Sequence, residues 1–105
     1  MKRCLLRPRA RDDRRAEVLN YREVAGTAVA ARLVTAMAKA LEELSTNPGM
    51  GSPVLGQTLG VEGLRTWRLD GFPLTFWYFE RDEHVDVVRL VGQRQDPGRL
   101  MDFDD

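Results

Sequence analysis

Residues 64–91 hold three runs rich in aromatic and β-branched side chains, LRTWRL, LTFWYFE and VDVVRLV, separated only by short turns. Such runs read as strands. Asp70-Gly71 is a strong turn dipeptide, and Arg81-Asp82-Glu83-His84 is a polar tip, so the three strands form an antiparallel meander. In the middle run, alternation places Leu74, Phe76 and Tyr78 on one face and Thr75, Trp77 and Phe79 on the other. Both faces are therefore apolar. A sheet of this kind needs cover on each side, and one helical layer supplies only one of them.

The helical layer lies upstream. Over residues 28–45, Val29, Leu33, Met37, Ala40, Leu41 and Leu44 recur at spacings of three and four, which predicts an amphipathic helix terminated by Asn47-Pro48-Gly49. A preceding helix starts with Asp12 and Asp13 as N-cap and first-turn acid, carries Ala16, Val18, Leu19, Tyr21 and Ala25, and stops at Gly26. The one short break makes the pair an antiparallel hairpin. Residues 2–8 alternate around Leu5 and Leu6 and end at a proline, as a first strand does; whether it lies at the edge or centre is open. Residues 49–63 are glycine-rich and aperiodic and read as a long loop, with neither P-loop nor GxGxxG spacing. Asp96-Pro97-Gly98 opens a last turn, with Arg99, Leu100 and Met101 in a short helix. The predicted class is α+β: an N-terminal strand and an antiparallel helical hairpin packed on an antiparallel sheet, in the order β-α-α-β-β-β.

With 105 residues, 43% of them hydrophobic, the chain suffices for one core and not two, so residues 1–105 are expected to be a single domain. No apolar run reaches the roughly 20 residues that cross a bilayer, and the basic start lacks the pattern of a signal peptide; a cytoplasmic location is expected, with no membrane partner. Cys4 is the single cysteine and His84 the single histidine, which leaves no zinc ligand cluster, and no cofactor is expected. The zero net charge conceals an asymmetry. Residues 1–35 carry nine Arg/Lys against four Asp/Glu, +5, and the rest seven against twelve, −5. Distinct charged patches follow, with no sequence-specific DNA binding expected of this chain alone.

The helix end ALEELSTNPGMG followed by LRTWRL, GFPLTFWYF and VVRLVGQRQD resembles, in order and spacing, the ParE/RelE toxin superfamily over residues 9–100. The resemblance implies the toxin of a type II toxin-antitoxin pair. RelE-like members cleave ribosome-bound mRNA, chemistry that needs a general base, a proton donor and cations against the phosphate. At the places where that branch has an arginine following the aromatic of the middle strand and a tyrosine near the C-terminus, the resemblance sets Pro73 and Leu100 of this chain; Arg94 alone matches. The Gly-Phe-Pro and Arg-Gln-Asp wording resembles ParE, which implies a non-enzymatic inhibitor of DNA gyrase, neutralised in a hetero-oligomer by a ParD-like antitoxin from an adjacent gene. A RelE-like mRNA endonuclease and a non-toxic antitoxin-binding co-repressor are the alternatives.

No catalytic residue is assigned. Arg65, Arg68, Arg89 and Arg94, with Trp67, are the candidates for target binding, against a plainer reading as solvated strand residues and, for Trp67, core. The resemblance implies that an antitoxin segment, disordered alone, folds onto the second helix and the sheet. Leu33, Met37, Leu41, Trp77 and Phe79 are the candidates for that contact, although for the first three a plain core stripe is the favoured reading. Cys4 reads as a small buried strand residue and His84 as part of a turn.

Overall fold

The computed structural model describes residues 1–103; Asp104 and Asp105 of the acidic end lie outside the described residues. The chain runs β1 (Arg3–Leu6), α1 (Pro8–Ala25), α2 (Thr27–Thr46), a 3₁₀ turn at Pro48–Met50, α3 (Val54–Leu59), β2 (Arg65–Arg68), β3 (Leu74–Glu80), β4 (His84–Gly92) and a 3₁₀ turn at Pro97–Arg99. The expected α+β class and the meander are present. The four strands lie in the order β1-β4-β3-β2. β2, β3 and β4 are antiparallel, whereas β1 joins β4 in parallel, Arg3 opposite His84 through Leu6 opposite Val87. The first strand is thus an edge, and it makes the sheet mixed.

α1 begins at Pro8, four residues before the expected cap. Proline at the first helical position has its φ already set and lacks only an N–H the helix would leave unpaired. Asp12 and Asp13 are therefore not a cap; Asp13 lies inside the helix and faces the sheet. Gly26, at φ 94°, ends α1 by donating its N–H to Arg22 and starts α2 by accepting from Ala30. A side chain is strained at that φ, so glycine makes the one-residue hinge of the hairpin.

α2 buries Ala30, Leu33, Met37, Ala40 and Leu44, the expected spacing of three and four, against the inner sheet face of Leu69, Leu74, Phe76, Tyr78, Val85, Val87 and Leu90. The outer face carries Trp77, Phe79, Val88 and Val91. A bulge at Trp77/Tyr78 skips Val88 in the pairing, so Val88 and Arg89 both serve the outer face.

What covers that outer face differs from expectation. Residues 49–63 are not a featureless loop but include α3, whose Leu55 and Leu59, with Val61, pack on Leu64, Trp77 and Phe79. Leu100 and Phe103 complete the cover. The glycine inside α3 is needed by its packing, since a Cβ on Gly56 would lie 2.6 Å from the Leu64 carbonyl oxygen. Two smaller differences concern single residues. His84 opens β4 opposite Arg3 instead of sitting in the turn, and the last helical turn spans Pro97–Arg99, leaving Leu100 free to pack on the sheet.

One buried hydroxyl ties the α2–α3 connection to the core. Tyr78 Oη donates to the Pro48 carbonyl at 2.6 Å and accepts from the Gly51 N–H at 2.9 Å. Tyr78→Phe leaves both backbone groups unpaired and is expected to lower unfolding stability by about 1–3 kcal/mol. Gly51→Ala is expected to cost more, because its Cβ would overlap the same hydroxyl. Urea unfolding of both variants checks the order; a Gly51→Ala protein as stable as the parent contradicts the packing described.

Candidate functional site

The hairpin leaves a groove of about 450 Å³ between its two helices. Val18 and Leu19 of α1 and Val34, Met37, Ala38 and Leu41 of α2 line it, and Arg11, Arg14 and Arg15 stand along it. Leu19 and Val34 are each close to half exposed, 46% and 49%, although both are aliphatic. The three arginine side chains have no hydrogen-bond or ion-pair partner among the described residues. A half-exposed apolar floor beside three guanidinium groups that have no partner among the described residues can bury apolar side chains and pair with carboxylates at the same time.

The four arginines singled out on or beside the last three strands do not form one patch. Arg65 donates to the Gly51 carbonyl at 2.6 Å and helps hold the α2–α3 connection. Arg89 is buried, with Nε and Nη2 at 2.8 and 3.0 Å from the two Asp13 oxygens, and Asp13 also accepts the Leu90 N–H at 3.0 Å. Arg68 and Arg94 are exposed, without a partner among the described residues. They stand on either side of the Gly92–Gln95 turn, in two shallow cavities of about 260 and 670 Å³ that share Pro73, Gly92, Gln93 and Gln95. The Arg94 cavity also contains Glu17 and Tyr21, and burial, then the neighbouring Asp13, pushes the Glu17 carboxyl up. No group of His, Cys, Asp or Glu able to hold a metal occurs among the described residues.

Residues 5–97 match the family described as the ParE toxin of the type II toxin-antitoxin system, parDE. The chain belongs to the ParE toxin family. A solved structure described as the chromosomal ParDE TA system from P. aeruginosa has a chain that superposes with a TM-score of 0.73 at 21% identity, covering 88% of this chain and 96% of that one. At that identity the likeness is one of fold. No curated protein matches the sequence. No helix among the described residues is long and apolar enough to cross a membrane.

In this ParE family member the residues singled out from sequence separate into three groups. Arg65, Arg89 and Trp67 are part of the fold: Trp67 packs half-buried on the inner core and its indole N–H points to Glu43 at 3.4 Å. Arg89 as a target contact is corrected, because its guanidinium is spent on Asp13 and buried by the C-terminal segment. Leu33 is fully buried in the core beneath the helices and is likewise corrected as a rim residue; Met37 and Leu41 do reach the groove. Trp77 and Phe79 lie under the chain's own α3 and C-terminal segment, so the outer face needs no partner to cover it. Of the four candidate arginines, Arg68 and Arg94 are the exposed ones without a partner among the described residues. Sequence reading missed Arg11, Arg14, Arg15, Leu19 and Val34, although Arg11, Arg14, Arg15 and Val18 already follow a spacing of three, one and three along α1.

A second ion cluster explains why β4 tolerates an acid. Asp86 is nearly buried between Arg7, at 2.8 and 3.0 Å, and Arg81, at 2.9 and 3.1 Å. Burial raises its pKa, but the hydrogen bonds and charges of the two guanidinium groups outweigh that and hold the carboxyl below its ordinary value. A depressed carboxyl contributes stability above the unfolded-state pKa of about 4 and loses it as pH falls through the lower folded value. Stability is therefore expected to fall on acidification below about pH 4, and Asp86→Asn to flatten that part of the profile; an unchanged acid limb in Asp86→Asn contradicts the assignment. Arg89→Ala strands Asp13 and is expected to cost about 3 kcal/mol or more. Arg94→Ala and Arg68→Ala are expected to stay within about 0.5 kcal/mol of the parent. Thermal unfolding of the three variants measures the split.

Proposed function

We propose that this chain is a toxin that arrests growth by binding DNA gyrase, and that an antitoxin of the ParD type silences it by laying an acidic amphipathic segment into the α1–α2 groove. The observation that carries the antitoxin half is the row of Arg11, Arg14 and Arg15 along an apolar floor, with no acid in hydrogen-bond or ion-pair reach of them among the described residues. Such a segment gains apolar burial and charge-assisted hydrogen bonds together. Family membership supports the toxin assignment, and the Pro73 and Leu100 departures from the RelE pattern support inhibition by binding. Arg94 and Arg68, candidate arginines without a partner among the described residues, are the proposed target contacts.

Expression of the chain alone is expected to give filamentous cells with DNA-damage signalling, relieved by co-expression of a neighbouring ribbon-helix-helix open reading frame. Arg94→Ala is expected to weaken toxicity while keeping the fold. Val34→Glu is expected to leave toxicity in place and weaken antitoxin binding at least tenfold, about 1.4 kcal/mol. Rapid translation arrest with cut transcripts would overturn the gyrase reading, and no growth effect would favour the co-repressor alternative. Full neutralisation of Val34→Glu at unchanged affinity would remove the groove from the account.

One observation favours mRNA cleavage as the second reading: Glu17 and Tyr21 share the Arg94 cavity, and the raised carboxyl of Glu17 is the kind of group that serves acid–base catalysis. Under that reading Glu17→Gln abolishes transcript cutting. Under the gyrase reading it leaves filamentation intact.

A further inference from the structure

Three shallow cavities meet at one end of the fold, and Pro73 lines all of them. The one of about 600 Å³ contains Arg32 of α2, the one of about 670 Å³ Arg94, and the one of about 260 Å³ Arg68. Tyr21 joins the first to the second, and Gly92, Gln93 and Gln95 join the second to the third, so the three are one continuous surface. Arg32, like Arg68 and Arg94, is exposed and has no hydrogen-bond or ion-pair partner among the described residues. The ground between the three is fixed by hydrogen bonds. Gln93 donates its N–H to the Pro73 carbonyl at 3.0 Å, Gly92 donates to Gln95 Oε1 at 2.6 Å, and Gln95 donates back to the Gly92 carbonyl at 3.1 Å. Two acids lie in the lining. Asp70 is paired with Lys39 at 2.6 Å, and Glu17 has no ion-pair partner among the described residues.

The chemistry of this surface differs from that of the hairpin groove. None of the large aliphatic side chains that the chain exposes lies in its lining, whereas the hairpin groove holds Leu19 and Val34. An amphipathic protein segment would find cations here but little exposed apolar surface to bury. Tyr21 and Phe72 stand edge-to-face, centroids 5.4 Å apart, and both are half-buried, so neither ring is a free platform for an unpaired base. What remains is a set of spaced guanidinium groups with the side-chain amides of Asn20 and Gln93, which suits phosphate contact without base readout. We propose that the Pro73 end of the fold holds the phosphate backbone of duplex DNA, with Arg32, Arg68 and Arg94 each meeting a phosphate. The proposal rests on the gyrase reading only for the source of the duplex, the DNA that enzyme handles; Arg68 and Arg94 then meet the target through its DNA, and Arg32 joins them. The surface is separate from the hairpin groove, because α2 turns Val34, Ala38 and Leu41 to the groove and Arg32, Thr35 and Lys39 to its other flank.

The test is fluorescence anisotropy of the full chain with a fluorescein-labelled DNA duplex of about 20 base pairs, between about 50 and 200 mM salt. Three phosphate contacts predict a log–log salt slope near −3, about 0.9 for each contact. Arg32→Ala, Arg68→Ala and Arg94→Ala are each expected to flatten that slope by about 1 and to weaken binding at least about threefold, whatever the base sequence. Glu17→Gln removes the one acid of the lining that stands outside an ion pair, and is expected to tighten binding about twofold or more. Arg3 is exposed opposite His84, at the far end of β4 from Gly92, and Arg3→Ala is expected to leave the affinity within about twofold of the parent. All four arginines are exposed, so the variants are expected to keep the fold. No binding by the unsubstituted chain at the lowest salt would overturn the proposal, as would equal salt slopes for the parent and the three variants. A loss in Arg3→Ala as large as that in Arg94→Ala, or a single strand of the same sequence that binds more tightly than the duplex, would overturn it too. Gyrase is absent from the measurement. Failure here therefore leaves the gyrase reading standing, and absence of filamentation in cells leaves the DNA contact standing.

Discussion

Much of this fold depends on how α1 closes the side of β4 that β1 leaves open. β1 spans Arg3–Leu6 and pairs only with the first part of β4, His84–Gly92, so the later part lacks a neighbouring strand. Asp13 supplies the missing acceptor, taking the Leu90 N–H with one oxygen while both oxygens hold Arg89. An unpaired strand N–H at such an edge invites another strand or costs the loss of a hydrogen bond. One carboxylate thus satisfies the edge and also fixes the rotation of α1 about its axis. With Asp13 turned to the sheet, helical geometry turns Arg11, Arg14 and Arg15 toward the groove over α2.

Two populations of arginine stand out beside the exposed surface ion pairs. Asp13–Arg89 and Arg7–Asp86–Arg81 are partly or wholly withdrawn from water, and each guanidinium there has a carboxylate in hydrogen-bond reach. Arg11, Arg14, Arg15, Arg68 and Arg94 have none among the described residues. Paired internal charges set the geometry of a protein and leave little for a partner; unpaired surface ones retain their full capacity for an anionic group. This sorting, more than the number of arginines, distinguishes the surfaces of this ParE family member that are available for recognition.

The two faces of the sheet are covered by unequal means. The inner face receives a continuous amphipathic helix with five buried positions. The outer face receives a six-residue helix, a few loop residues and the last described segment. Hairpin packing is cooperative and local in sequence, whereas α3 and the C-terminal segment gain their contacts only once the sheet exists. That inequality is why the inner layer could be read from periodicity and the outer one could not. Val54 to Leu59 contains a glycine and only two turns, too short for a period to show.

The strand runs from residue 64 to 91, the α2 stripe of Leu33, Met37, Ala40 and Leu44, the Gly26 hinge and the family wording were all determined by sequence, because each is a local pattern of apolar spacing or a turn chemistry. The parallel placement of β1, the start of α1 at Pro8 and the roles of individual arginines were decided only by tertiary structure. Arg89 and Arg94 are five residues apart in sequence, and although family wording singles out Arg94, no local pattern says that Arg89 is buried and paired. Asp13, 76 positions away from Arg89, takes the one and leaves the other, and a contact of that range exists only when α1 has packed on β4. The same holds for Trp77: its strand alternation marked it as facing away from the helices, but what lies over it was settled by chain segments whose own sequence carries no periodic signal.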